Sequence, residues 1–219
     1  MNEPQRLSAS AEHHENGGVA SGTLSAFLRT RIADWRKKRL LRLALRMAEE
    51  PILMLEVSQS PGSFWPVLME HNNRIIVATS PATDSLLAAH RKLPSGMNQR
   101  IKTLPGPVDY AELRAGSVDC ILISEVPSSS CNAANIRLLG QLSRVTRDTV
   151  ILFARVGSRS SLSGAIPPCT CSADQHALMP DSTSAKALEQ EFQRVGFSQI
   201  KHYNFTPGVA GVRVYILRK

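Results

Sequence analysis

Aromatic side chains are scarce in this sequence, 5% of 219 residues, and few of them interleave with its lysines and arginines. Stacking platforms for unpaired bases are built from such interleaving, so nucleic-acid binding is the weaker reading of a basic chain, and no recognised reading module is present. Cysteine is sparse too: Cys120, Cys131, Cys169 and Cys171 are too few and too irregularly spaced for a disulfide scaffold. No apolar stretch reaches membrane-spanning length, and no signal-peptide core is visible. Together these absences read as a soluble, cytoplasmic protein of a reducing compartment. Acidic residues are in deficit as well, 18 Asp and Glu against 26 Lys and Arg, for a formal charge of +8 and a pI near 9.7. Such a balance favours an anionic partner, whether nucleic acid, an acidic membrane surface or a phosphorylated substrate, without choosing among them.

What is present supports one domain, because 42% hydrophobic content over this length can bury a single substantial core. Residues 1–22 carry almost no large apolar side chains, so burial cannot offset the entropy of ordering them and a disordered tail is expected. The His13-His14 pair in it lacks partners at ligand spacing and reads as polar tail. Over residues 23–50, Leu24, Phe27, Leu28, Ile32 and Trp35, then Leu40, Leu43, Ala44 and Met47, recur at helical spacing. One or two helices are expected there, with Trp35 as a core anchor and Pro51 ending the helix. The polar face holds many cations against Asp34 alone. Its run Arg36, Lys37, Lys38 and Arg39 is the candidate partner or anion contact, the plainer reading being a solvated helix face.

Residues 51–219 read as the sheet domain. Strands are expected from Pro51 to Val57 and at Arg74–Thr79, Arg100–Leu104, Val118–Ile123, Thr149–Ala154, Phe197–Phe205 and Val212–Leu217. Helical patterns fall near 83–92, 134–145 and 185–195, the last stopped by Gly196, and Pro94-Ser95-Gly96 marks a turn. Ligands in open α/β sheets sit at the carboxyl end of the first strand, here the loop Ser58-Gln59-Ser60-Pro61-Gly62. Residues 157–183 are rich in Ser, Pro and Gly and read as a long mobile loop over that crevice. Within it Cys169 and Cys171, with Asp174 and His176, lack the second ligand pair expected of a zinc site, and no metal is assigned.

Leu55-Glu56-Val57 followed by a loop closing on Gly62, the second strand ending at Thr79-Ser80, and Gly116-Ser117-Val118-Asp119 leading into the fourth strand resemble the class I S-adenosylmethionine-dependent methyltransferases, of the methyltransferase type 11-like kind. The resemblance implies a Rossmann-like fold: a mostly parallel seven-stranded sheet, helices on both faces, and a C-terminal antiparallel strand pair. It also implies the methyl donor S-adenosylmethionine as cofactor, held by Glu56, Ser58, Ser60, Gly62, Thr79 and Asp109. The family's first motif has an acid and then three alternate glycines. Here Glu56 matches the acid and Gly62 the last glycine, while Ser58 and Ser60 replace the first two and Pro61 removes an amide donor. Thr79 stands where the family has a carboxylate for the ribose hydroxyls, and Asp84 lies about a helical turn too far along.

Beyond the fourth strand, where the family organises its chemistry, Glu125 is the one candidate general base; its plainer reading is a solvated loop carboxylate. Asp109 reads equally as an adenine contact or a helix N-cap, and Cys131 has no histidine close by in sequence. Two functions follow. The first is a methyltransferase-like binding or regulatory protein with an eroded donor site, acting on a protein partner or beside an active relative. The second is an active transferase with a variant donor site and an unknown, anionic substrate.

Overall fold

The computed structural model describes residues 19–104, 110, 112–124, 132–156, 185–205 and 212–219. The expected tail and the 157–183 loop, with its cysteines, lie outside these residues apart from Val19 to Gly22, which are helical. The chain divides into two units, Met1–Arg36 and Lys37–Lys219.

Helix α1 covers Val19–Met47 and therefore begins four residues ahead of Thr23. In the first unit Leu28, Ile32 and Trp35 are exposed at 57%, 55% and 56%. Trp35 is thus not the core anchor its spacing implied: periodicity defines a stripe on a helix, and does not say that anything covers it. In the second unit the same helix buries Leu41, Ala44 and Leu45. Its end is made by Glu49 and Glu50, both left-handed at φ 59° and 51°, rather than by Pro51. Side chains with a Cβ adopt this conformation reluctantly, and here each is tied down. Arg74 Nη2 donates to Glu50 at 2.6 Å and Arg218 Nη2 to Glu49 at 3.0 Å.

The remaining elements alternate as the sequence pattern predicts: β1 Leu53–Val57, α2 Trp65–Leu68, β2 Ile75–Thr79, α3 Thr83–Arg91, α4 Ser95–Asn98, β3 Ile101–Leu104, β4 Val118–Ile123, α5 Asn132–Val145, β5 Thr146–Arg155, α6 Ala185–Arg194, β6 Gln199–Asn204 and β7 Val212–Arg218. Two local differences stand out. The Pro94-Ser95-Gly96 turn continues into the single-turn helix α4, and β5 starts at Thr146 because α5 runs directly into it. The seven strands form one sheet in the order β3-β2-β1-β4-β5-β7-β6. β7 runs antiparallel to both β5 and β6, and the other pairings are parallel.

Strand alternation sends side chains to two cores. Met54, Ile76, Cys120, Leu122 and Ile151 pack with Leu41, Leu45, Trp65, Leu68 and Leu86 on one face. Leu55, Ile121, Val150, Leu152 and Leu217 pack with Leu139, Leu142 and Phe192 on the other. A sheet covered on both faces requires near-continuous apolar strands, which is how β4 reads. At its entry Asp119 accepts from the Leu53 amide and from Arg147, both at 2.9 Å, linking the starts of β1, β4 and β5.

Candidate functional site

The strand order reverses between β1 and β4: the chain moves outward from β1 to β2 and β3 on one side, and from β4 to β5 on the other. That reversal opens a crevice at the carboxyl ends of the two strands in folds of this kind. In this protein it lies where Val57 pairs with Ile123, and the next residues out are Ser58 and Ser124.

These two serines bridge the gap. The Ser124 hydroxyl donates to the Ser58 hydroxyl at 2.7 Å, and the Ser124 amide donates to the Val57 carbonyl at 3.2 Å. Ser58 also accepts the Ser60 amide at 3.1 Å, so the loop closes on itself, and Ser63 closes it again by donating to the Ser60 carbonyl at 3.2 Å. The Ser58 hydroxyl is thus held by both Ser124 and the Ser60 amide. Gly62 keeps the left-handed backbone, φ 91°, that its place in the motif implies. A Cβ there would stand 3.2 Å from the Ala89 Cβ, a tight contact that α3 would have to relax by a few tenths of an ångström.

Glu56 lies on the Met54 side of β1, fully buried. The indole of Trp65, itself 2% exposed, donates to Glu56 Oε2 at 2.5 Å. The other oxygen, Oε1, is buried with no hydrogen-bond partner among the described residues. Loss of water pushes the carboxyl up to about 7, and the indole hydrogen bond offsets only part of that. Trp65 belongs to the buried core, and Phe64 beside it stacks on Phe153 with centroids 5.1 Å apart. The β1 to β2 crossover holds only the four-residue α2, with Pro66 at its start.

At the end of β2, Thr79 is buried and shares a 3.0 Å hydrogen bond with the Tyr110 hydroxyl. Ser80 accepts the Ala82 amide at 3.1 Å, and Asp84 sits in the first turn of α3. Neither threonine nor serine accepts two ribose hydroxyls as a carboxylate does. Asp109 and Glu125 lie outside the described residues. Of the expected donor contacts, the fold places Glu56 near the end of β1, Ser58, Ser60 and Gly62 in the loop that follows, and Thr79 on the adjacent strand, with the Ser58 amide donating to the Thr79 carbonyl at 3.1 Å. Ser58 bonds to Ser124 and to the Ser60 amide, Thr79 to Tyr110, and one oxygen of Glu56 to Trp65, while Glu56 Oε1 has no partner among the described residues. Among the described residues the end of β2 carries no carboxylate for a ribose.

Sequence reasoning missed Trp65 as the partner of Glu56, and Ser124 and Tyr110 as partners of Ser58 and Thr79. The place of Ser124 was available from topology, since it is the first residue past the strand adjoining β1. Nothing in the spacing singled out Trp65 or Tyr110.

At the other end of these strands lies a cleft of about 160 Å³ lined by Arg42, Arg46, Glu50, Glu70, His71 and Arg74, among others. Arg74 is 1% exposed and donates to the Pro51 and Leu68 carbonyls, both at 2.9 Å, besides its pair with Glu50. Arg42 meets Glu70 at 2.6 to 3.0 Å and holds that carboxyl below its usual range. The contact run is partly accessible: Arg39 is exposed, and Arg36, Lys37 and Lys38 are half-buried. Among the described residues no group of three or more His, Cys, Asp or Glu is placed to hold a metal ion.

No family model matches the chain, and no curated protein matches it in sequence. Solved structures do. The methyltransferase domain of bacterial CtHen1-CN matches with a TM-score of 0.63 at 11% identity, over 85% of this chain and 100% of that one. EvdMO1 matches at 0.59 with 18% identity over 85% of this chain, which spans only 40% of EvdMO1. The N-terminal domain of EvdMO1 with SAH bound matches at 0.57 with 16% identity, over 85% of this chain and 79% of that domain. At such identities the likeness speaks for the fold alone: the chain has the class I methyltransferase fold.

Proposed function

We propose that this protein is a methyltransferase-like binding or regulatory protein whose donor site has eroded, with the basic run Arg36, Lys37, Lys38 and Arg39 as part of its contact surface. One observation carries the reading: at the switch point between β1 and β4, the Ser58 and Ser124 hydroxyls bond to each other while the Trp65 indole caps the buried Glu56. A donor seated there would have to displace an indole and break a closed hydrogen-bond loop, and would find no described carboxylate at the end of β2 for its ribose. The test is calorimetric titration of the full chain with S-adenosylmethionine and with its demethylated product. A flat response into the millimolar range is expected. Saturable micromolar binding that disappears in Gly62→Arg would overturn the reading.

A second reading, an active transferase with a variant site, draws on two features. Gly62 retains the left-handed turn, and Glu56 Oε1 is buried without a partner, an arrangement that a ligand's donor group would satisfy. The same titration separates the two readings.

A further inference from the structure

We propose that the face of α1 bearing Leu28, Ile32 and Trp35 docks this protein on an anionic lipid surface. The three side chains follow one another at i, i+4 and i+7 and therefore form one stripe along the helix. Each is more than half exposed. Arg31 comes three residues after Leu28 and Arg36 four after Ile32, which by helical spacing puts a cation on either side of the stripe. Asp34 is the single acid in the whole of α1. The stripe runs directly into Arg36-Lys37-Lys38-Arg39 in the chain.

This combination selects the occupant. An apolar stripe ending in an indole enters the boundary between headgroups and acyl chains, where tryptophan favours an apolar body with a wet N–H. Cations bordering both sides of the stripe lie at the level of lipid phosphates when the helix rests flat, which a planar anionic surface satisfies along its length. Among the described residues no helix is long and apolar enough to cross a membrane, so α1 would lie on the surface rather than span it. The proposal is independent of whether the donor site is silent.

The test uses the full chain and vesicles of phosphatidylcholine, alone or mixed with phosphatidylglycerol, read by flotation and by tryptophan emission. The chain has two tryptophans, so subtracting the spectrum of Trp35→Phe isolates Trp35 without touching the buried Trp65. Flotation with the mixed vesicles only, weakened by added salt, and a blue shift confined to Trp35 are expected. Serine at positions 28, 32 and 35 together should weaken binding at least about tenfold, as should charge reversal at Lys37, Lys38 and Arg39, while Trp35→Phe should still float. Equal binding to neutral vesicles, no binding to either, or undiminished binding by the triple serine variant would overturn the proposal. So would a Trp35 shift produced by polyglutamate and not by vesicles, since that assigns the face to an acidic protein.

Discussion

The two ends of strands β1 and β2 have been finished in opposite ways. At the carboxyl end, where folds of this kind receive ligands, neutral hydroxyls pair with one another and an indole bonds the buried carboxylate of Glu56. At the amino end an open cleft is lined by arginines and glutamates paired across it. The contrast separates the fold from its site. The sheet needs apolar strands and tied strand starts, and both are present in Met54, Leu55, Arg74 and Asp119. A ribose-binding end of β2 calls for a carboxylate, and among the described residues Thr79 and Ser80 stand there instead.

Four substitutions break or sharpen that contrast. The largest effect is expected from Trp65→Ala, which removes a buried ring and strips Glu56 of its hydrogen bond. A loss of about 4 kcal/mol in urea unfolding is predicted. If the indole were the sole obstacle, this variant would also gain donor binding; none is expected, because Thr79 still offers no carboxylate. At the opposite end, Arg74→Met leaves two carbonyls and Glu50 without their donor. Since the Glu50 side chain is 43% exposed and partly rescued by water, about 3 to 4 kcal/mol should be lost by the same measurement.

Glu56 sharpens the comparison through pH. Its carboxyl titrates near 7 in the folded chain, against an ordinary value of 4.5. Between these values the native state keeps a proton that the unfolded chain has already released, so the group's contribution is full on the acid side and falls as pH rises through the window. By about pH 7 and above, the difference approaches 3 kcal/mol. Glu56→Gln should flatten this part of the urea-midpoint profile relative to the unsubstituted protein; an unchanged slope would mean that the carboxyl is already ionised in the fold. The smallest effect is reserved for Gly62→Ala, about 1 to 2 kcal/mol, from the left-handed backbone and the nearby Ala89. A thermal melt as stable as the parent's would show that the loop no longer depends on its one retained motif glycine.

Much of the fold was legible because its signals are local. β4 begins and ends where its apolar run does, and Gly196 stops α6 with φ 99° as a glycine after an amphipathic run should. The end of α1 was misread because Glu49 and Glu50 take left-handed conformations that carry no glycine signature and are held by Arg218 and Arg74 from distant parts of the chain. The site was legible as a place and not as a set of contacts. Glu56, Ser58, Gly62 and Thr79 are legible as neighbours at the ends of β1 and β2, but the partners of Glu56, Ser58 and Thr79 arrive from α2, from the end of β4 and from Tyr110.

The sequence by itself determined the order of strands and helices and the loop where a ligand would sit, because apolar periodicity and turn residues act within a few positions. Only the tertiary structure decided that Ser58 meets Ser124, that Trp65 meets Glu56 and that Arg74 is buried. Those outcomes depend on which polar groups meet once water has been excluded, and the meeting partners lie 9 residues apart for Glu56 and Trp65 and 66 for Ser58 and Ser124.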